Sequence, residues 1–191
     1  TGAARFGADE APADALWLRV IRSPHASADF RYGDLDAYVA ARGLHGVVTA
    51  EDIPNNRFAI FPDLRDQPAI APGRVRMIGE AVLVLAGSRQ ALEAIDPASV
   101  PIVYRSTPAV TDMDAALAPG APSLHERWPD NVLCRGRVVH GDVAGALDAA
   151  PAARILEGGF TTGYVEHAYL EPEAGWARVE PRAPGRGQRV T

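Results

Sequence analysis

The 191-residue sequence contains no lysine and a single cysteine, Cys134. One cysteine excludes an internal disulfide framework and a thiolate zinc site, and its expected state is a buried, inert thiol. All 19 basic side chains are arginine. With a net charge of −5 and no basic stripe interleaved with aromatics, nucleic acid is not an expected partner. Long apolar runs are missing as well. The longest, Ala81–Ala86, suits a buried strand and is far too short to span a bilayer. The single cysteine is compatible with a reducing cytoplasm, and a cytoplasmic location without a membrane partner is expected. Local metal signatures are absent: none of His25, His45, His125, His140 and His167 lies two to four residues from another His or Cys. Neither a Walker loop nor a GxGxxG after a strand occurs, and Gly158-Gly159 and Gly185-Arg186-Gly187 are not phosphate loops.

What is present is the composition of a globular chain, 47% hydrophobic and 23% charged. Leu16–Ile21 reads as a strand, followed by a helix capped by Asp34, running to Ala41 and stopped at Gly43. Gly46–Thr49 is a further strand. Residues 53–73 carry Pro54, Pro62, Pro68 and Pro72 and read as a long irregular segment, either functional or a subunit-contact arm. Val75–Ile78 and Ala81–Ala86 read as strands separated by Gly79-Glu80, with a Ser88-capped helix to about Ile95 and an extended Val100–Tyr104. Strand, helix and strand in about 30 residues suggest a crossover unit. Arg74 and Arg76 read as the wet face of a half-buried strand. Thr111–Leu117 is a short helix before Pro119-Gly120, and Asp142 caps a helix over Val143–Ala149 that Pro151 ends. Ile155–Val165 and Trp176–Val179 read as strands, 182–187 as a turn, and Gln188 begins another element. The pattern is that of a mixed α/β or α+β protein.

Chemistry alone singles out few sites. Glu166-His167 with Glu171 is the densest polar cluster within an apolar stretch. It is read either as an acid–base pair or, more simply, as a hydrogen-bonded histidine at a buried strand end. Ser23-Pro24-His25 places a hydroxyl near an imidazole, but a nucleophilic pair also needs an orienting carboxylate and an oxyanion hole, and neither is identifiable.

The order of several phrases adds more. Thr1–Phe6, Arg22-Ser23-Pro24-His25-Ala26, Thr49-Ala50-Glu51-Asp52-Ile53-Pro54 and Val75-Arg76-Met77-Ile78-Gly79-Glu80-Ala81-Val82 come first. Pro108–Asp112, Ala116–Pro122, Leu124-His125-Glu126, Asn131-Val132, Gly141-Asp142-Val143 and Glu166-His167-Ala168-Tyr169-Leu170-Glu171-Pro172 follow. In this order they resemble the start of the molybdenum-binding large subunit of the xanthine dehydrogenase/aldehyde oxidase family. The resemblance implies an α+β fold: a hammerhead-like domain over 1–122, then the start of a molybdopterin-binding domain over 123–191.

The resemblance further implies a parent enzyme that hydroxylates an aldehyde or aromatic N-heterocycle with water-derived oxygen. Its cofactor would be molybdenum–molybdopterin, with iron–sulfur clusters and FAD on partner domains or subunits. The family's catalytic Glu and glycine-rich pterin segments would lie beyond Thr191, so this chain by itself is expected to be inactive and to hold no cofactor. Its partners would be the remainder of the subunit, the iron–sulfur and flavin components and a small-molecule substrate. Many members carry a Gln before Glu-His that hydrogen-bonds an oxo ligand of molybdenum. Here that position is Val165, which replaces a hydrogen bond with an apolar wall. Glu166 and His167 would shape the cofactor pocket rather than transfer protons, and Arg22 and His25 would brace the hammerhead domain against the rest of the subunit. Ala81 stands where the family usually has Pro. Two other readings remain: a freestanding hammerhead-like interaction domain, and a reductive aromatic thioester dehydroxylase of the same family.

Overall fold

A computed structural model describes residues 2–59, 64–169, 171, 173–181 and 188–190. The chain divides into two units, Leu16–Gly136 and the combination of Thr1–Ala15 with Arg137–Thr191. The first unit therefore starts 15 residues after, and ends 14 residues beyond, the bounds of the expected 1–122 domain.

Unit Leu16–Gly136 holds two three-stranded sheets. β1 (Trp17–Arg22), β5 (Ala81–Gly87) and β3 (Gly46–Val48) form one, in the order β1-β5-β3. β4 (Arg74–Val75), β2 (Ala28–Tyr32) and β6 (Ile102–Ser106) form the other, in the order β4-β2-β6. Every pairing is antiparallel, with Val20 opposite Val84, Val47 opposite Leu85 and Phe30 opposite Tyr104. β5 explains the uninterrupted apolar run. A strand sends successive side chains to opposite faces. Leu83 and Leu85 accordingly enter one core cluster with Ile21, Leu44, Leu92, Ile95 and Val100. Val82, from the other face, joins Ala28, Phe30, Ala71 and Val75 in a second. A strand covered on both faces has no polar side to show, so it does not alternate. Tyr32 and Ile102 pack against both clusters and join them.

Helix α1 (Leu35–Ala41) begins where the Asp34 carboxylate accepts the amide of Ala37 at 2.9 Å. It ends at Gly43, whose φ of 60° an L side chain would resist. α2 (Arg89–Glu93) is capped the same way by Ser88 and stops two residues short of the expected end. α3 (Met113–Leu117) is capped by Asp112. Arg19 of β1 donates from Nη1 to the carbonyls of Leu92 and, at 2.7 Å, Ile95, which satisfies the C-terminal end of α2.

Three expectations change in this unit. The crossover does not form: β5 and β6 lie in different sheets, because the five residues of α2 and the turn at Pro97–Ser99 deliver the chain to β2 rather than back along β5. The strand expected over Val75–Ile78 is only Arg74–Val75, and the chain turns at Gly79 with φ 85°, leaving Met77 and Ile78 exposed. β2, unmarked in the sequence reading, is the centre of its sheet; the alternation Ala28-Asp29-Phe30-Arg31-Tyr32 was its available signal.

In the other unit α4 (Val143–Ala149) forms with Asp142 as its cap, accepting the Gly145 amide at 3.0 Å. β7 (Val179–Pro181) pairs antiparallel with β8 (Gln188–Val190), three residues later than the strand expected from Trp176. The expected strand Ile155–Val165 does not form. A strand needs a neighbour for its backbone groups, and no described segment pairs with these residues. The turn expected over 182–187 lies outside the described residues. No described helix is long and apolar enough to cross a membrane.

Candidate functional site

Val165, Glu166 and His167 lie in the exposed stretch of the second unit. Val165 is 83% exposed, and Tyr164 beside it is fully exposed. The Glu166 carboxylate accepts the amide of His167 at 3.0 Å, a contact confined to neighbouring residues. The His167 ring stacks on Tyr169, with centroids 5.5 Å apart and planes 4° from parallel, and Ala168 between them has φ 52°. Glu171 is engaged elsewhere: its Oε1 accepts the amide of Gly7 at 2.9 Å. The expected buried strand end is therefore an exposed irregular stretch, because the strand that would have buried it has no partner.

Ser23 is buried, and its hydroxyl bonds the backbone N–H and C=O of His25, both at 3.0 Å, rather than the imidazole. The imidazole packs on Tyr104 at 4.8 Å and meets the Ser106 hydroxyl at 3.3 Å. Arg22 donates to the Gly79 carbonyl at 2.8 Å. All of these contacts brace the Leu16–Gly136 unit internally. Cys134, expected to be buried, is exposed, since it follows the last turn of this unit with no element over it.

The clearest concavity is a cleft of about 730 Å³ in the Leu16–Gly136 unit. One wall is formed by residues 53–57 and 65–72 of the proline-rich segment, which are irregular but stapled. Asn56 exchanges two side-chain hydrogen bonds with the backbone of Ile70, at 2.7 and 3.0 Å, and Phe58 and Gln67 exchange two backbone bonds. Pro54, Pro68 and Pro72 supply rigid apolar surface there. The opposite wall is the turn His125–Trp128, closed by a backbone bond of 2.9 Å and an edge-to-face ring contact of 5.8 Å.

Two side chains hold that turn in place. Arg76 donates from Nε to the Leu124 carbonyl at 2.6 Å, so it is a bracket rather than the wet face expected of it. Asn131, with φ 57°, accepts the Leu124 amide and donates to the carbonyls of Ala116 and Pro122. These bonds tie Leu124 and Asn131 to Ala116 and Pro122, across position 122.

The cleft is basic. Arg57, Arg65, Arg76 and Arg127 line it, against Asp66 and Glu126. Burial holds the His125 imidazole below the usual histidine range, the Arg76 charge lowers it further and Arg57 adds to this, while Asp66 and Glu80 oppose. The proline-rich segment and the His125-Glu126 phrase are each visible in the sequence, but nothing local joins them to each other or to Arg57, Arg65 and Trp128. Their convergence across some 70 positions has no local signature. Among the described residues, no three His, Cys, Asp or Glu side chains converge as a metal-ligand group.

Comparison with known proteins places this geometry. Residues 1–108 match the family described as aldehyde oxidase and xanthine dehydrogenase, a/b hammerhead domain. The nicotinate dehydrogenase large molybdopterin subunit of Eubacterium barkeri is 30% identical over 177 residues, 91% of this chain and 40% of that protein. The xanthine dehydrogenase molybdenum-binding subunit of Escherichia coli O157:H7 is 30% identical over 94% of this chain and 25% of its own length. The chain thus spans well under half the length of these relatives. The solved aldehyde oxidoreductase of Desulfovibrio gigas superposes with a TM-score of 0.57 at 25% identity, covering 65% of this chain and 15% of that one. The mixed helix-and-strand architecture, the phrase order and these matches agree: the chain belongs to the aldehyde oxidase and xanthine dehydrogenase family, whose a/b hammerhead domain it carries.

Proposed function

We propose that this chain is the N-terminal part of the molybdenum-binding subunit of a molybdenum hydroxylase acting on an aldehyde or aromatic N-heterocycle. The observation that carries the reading is 30% identity to a large molybdopterin subunit across 91% of the chain. The parent would hold molybdenum–molybdopterin and pass electrons to iron–sulfur and flavin components. When bound, the molybdenum group supplies the oxygen transfer and accepts the substrate's electrons.

As they stand in this chain, Val165, Glu166 and His167 do not fit a molybdopterin group. Val165 is exposed and apolar, and the Glu166 carboxylate is engaged by its neighbour's amide. Their proposed role is supporting. Val165 would give the parent's pocket an apolar wall, and Glu166 and His167 would shape its rim once other segments cover them. The division proposed for the parent remains a hammerhead domain over 1–122 and the start of the cofactor domain from 123.

Elemental analysis of molybdenum tests the reading, on this 191-residue chain and on the longer subunit produced with its gene neighbours. About one molybdenum per longer chain and none on this one is the expected result. No metal in either, from a host that makes the cofactor, overturns it.

A further inference from the structure

We propose that the cleft between residues 53–57 and 65–72 on one side and the His125–Trp128 turn on the other is a binding site for a small planar organic anion, one carrying carboxylate groups on an aromatic body. The proposal does not depend on the reaction of the parent enzyme.

Charge is the first argument. The chain as a whole carries −5, yet this one cleft gathers four arginines against two carboxylates. Grouping like charges around a concavity costs free energy unless an anion offsets it, and guanidinium groups match carboxylates geometrically through paired N–H donors. Among the described residues, none of Arg57, Arg65, Arg76 and Arg127 is in an ion pair; the three ion pairs found there use Arg89, Arg105 and Arg135.

The second argument is how the arginines are held. Arg76 uses Nε on the Leu124 carbonyl, which fixes its stem while its terminal N–H groups are not consumed by that bond. Arg127 lies over the Trp128 ring at 5.1 Å. Stacking engages the face of a guanidinium, so its in-plane N–H edge remains for an acceptor. A fixed donor loses less entropy on binding than a free one.

Shape is the third. About 730 Å³ is the size of a small-molecule cleft, and the proline rings and the Trp128 indole provide flat apolar surface beside the donors. A strongly hydrated inorganic anion would use the arginines and leave that surface wet. A flat aromatic carboxylate uses both.

Calorimetric titration of the 191-residue chain with isophthalate tests this, with the uncharged isophthalamide as control. Saturable one-site binding of isophthalate, none of isophthalamide, and an affinity about tenfold weaker in the Arg57→Gln/Arg65→Gln variant are expected. Both replaced side chains are exposed, so the fold is retained, and circular dichroism checks it. Trp128→Phe, which keeps a ring but loses the better cation–π partner, should weaken binding less. The absence of saturation up to about 10 mM isophthalate overturns the assignment at the weak end of small-ligand affinity. So does equal binding of the diamide, or an unchanged affinity in the double-arginine variant. Binding of an oligoglutamate peptide without binding of isophthalate overturns it in favour of a protein partner.

Discussion

Residues 16–136 and residues 137–181 both carry large apolar side chains, and they treat them in opposite ways. Every buried hydrophobic residue among those described, from Ile21 to Val100, lies in the first region. In the second, Leu156, Phe160, Tyr164 and Val165 face solvent. Apolar content therefore does not make a core. β5 is buried because β1 and β3 complete its hydrogen bonds and two clusters cover its faces. The stretch 155–165, equally apolar in places, has no pairing strand and covers nothing. Elements that complete themselves locally form in either region: α4, with its Asp142 cap, is as regular as α1. In the proposed parent, the second region's side chains are the ones left for the rest of the subunit to cover.

The sharpest way to break this comparison is to truncate one large side chain in each region. Leu83→Ala, at a residue with no exposed surface, should lower unfolding free energy by about 2–5 kcal/mol. Phe160→Ala, at 98% exposure, should change it by less than about 0.5 kcal/mol. Denaturant unfolding of the two variants measures both. Comparable losses would mean that Phe160 is packed in solution and that the contrast is wrong.

A smaller effect separates the helices. Asp34→Ala removes the cap of a helix whose Leu35, Tyr38 and Val39 pack on the core, so about 1 kcal/mol should be lost from the cooperative transition. Asp142→Ala removes an equivalent cap from α4, which contributes nothing to either core cluster. It should lower far-ultraviolet helicity without moving the midpoint.

The smallest effect is the pH response of the cleft. Because His125 is held below its unfolded pKa, the unfolded chain takes up its proton first as pH falls. The stability this group contributes is present above the unfolded value near 6.5 and is lost as pH drops through the lower folded value. The thermal midpoint of the wild type should therefore decline more steeply below about pH 6.5 than that of His125→Gln. Parallel profiles would show that His125 is solvated like an exposed residue.

Much of the fold was legible in the residues themselves. Asp34, Ser88 and Asp142 announced their helices because a cap is a contact between residues three apart. Ala81–Ala86 announced a buried strand, since an uninterrupted apolar run has few other resting places. The phrase order announced the family. Where the reading departed from the structure, the deciding contact was distant in sequence. The β5–α2–β6 segment has the spacing of a crossover, and only the pairing of β6 with β2 shows that it is not one. Ile155–Val165 has strand composition and no mate. Arg76 looked like a solvated side chain until the Leu124 carbonyl, 48 residues on, gave it a partner.

The amino-acid sequence alone, then, determined the capped helices, the buried strand over Ala81–Ala86 and the family, all of which rest on patterns spanning a few residues or on their order. The tertiary structure alone decided which strands share a sheet, which apolar residues are covered, and that Arg57, Arg65, Arg76, His125 and Trp128 face a single cleft. Those outcomes depend on backbone pairing and loop closure between segments tens of residues apart, and no local propensity encodes them.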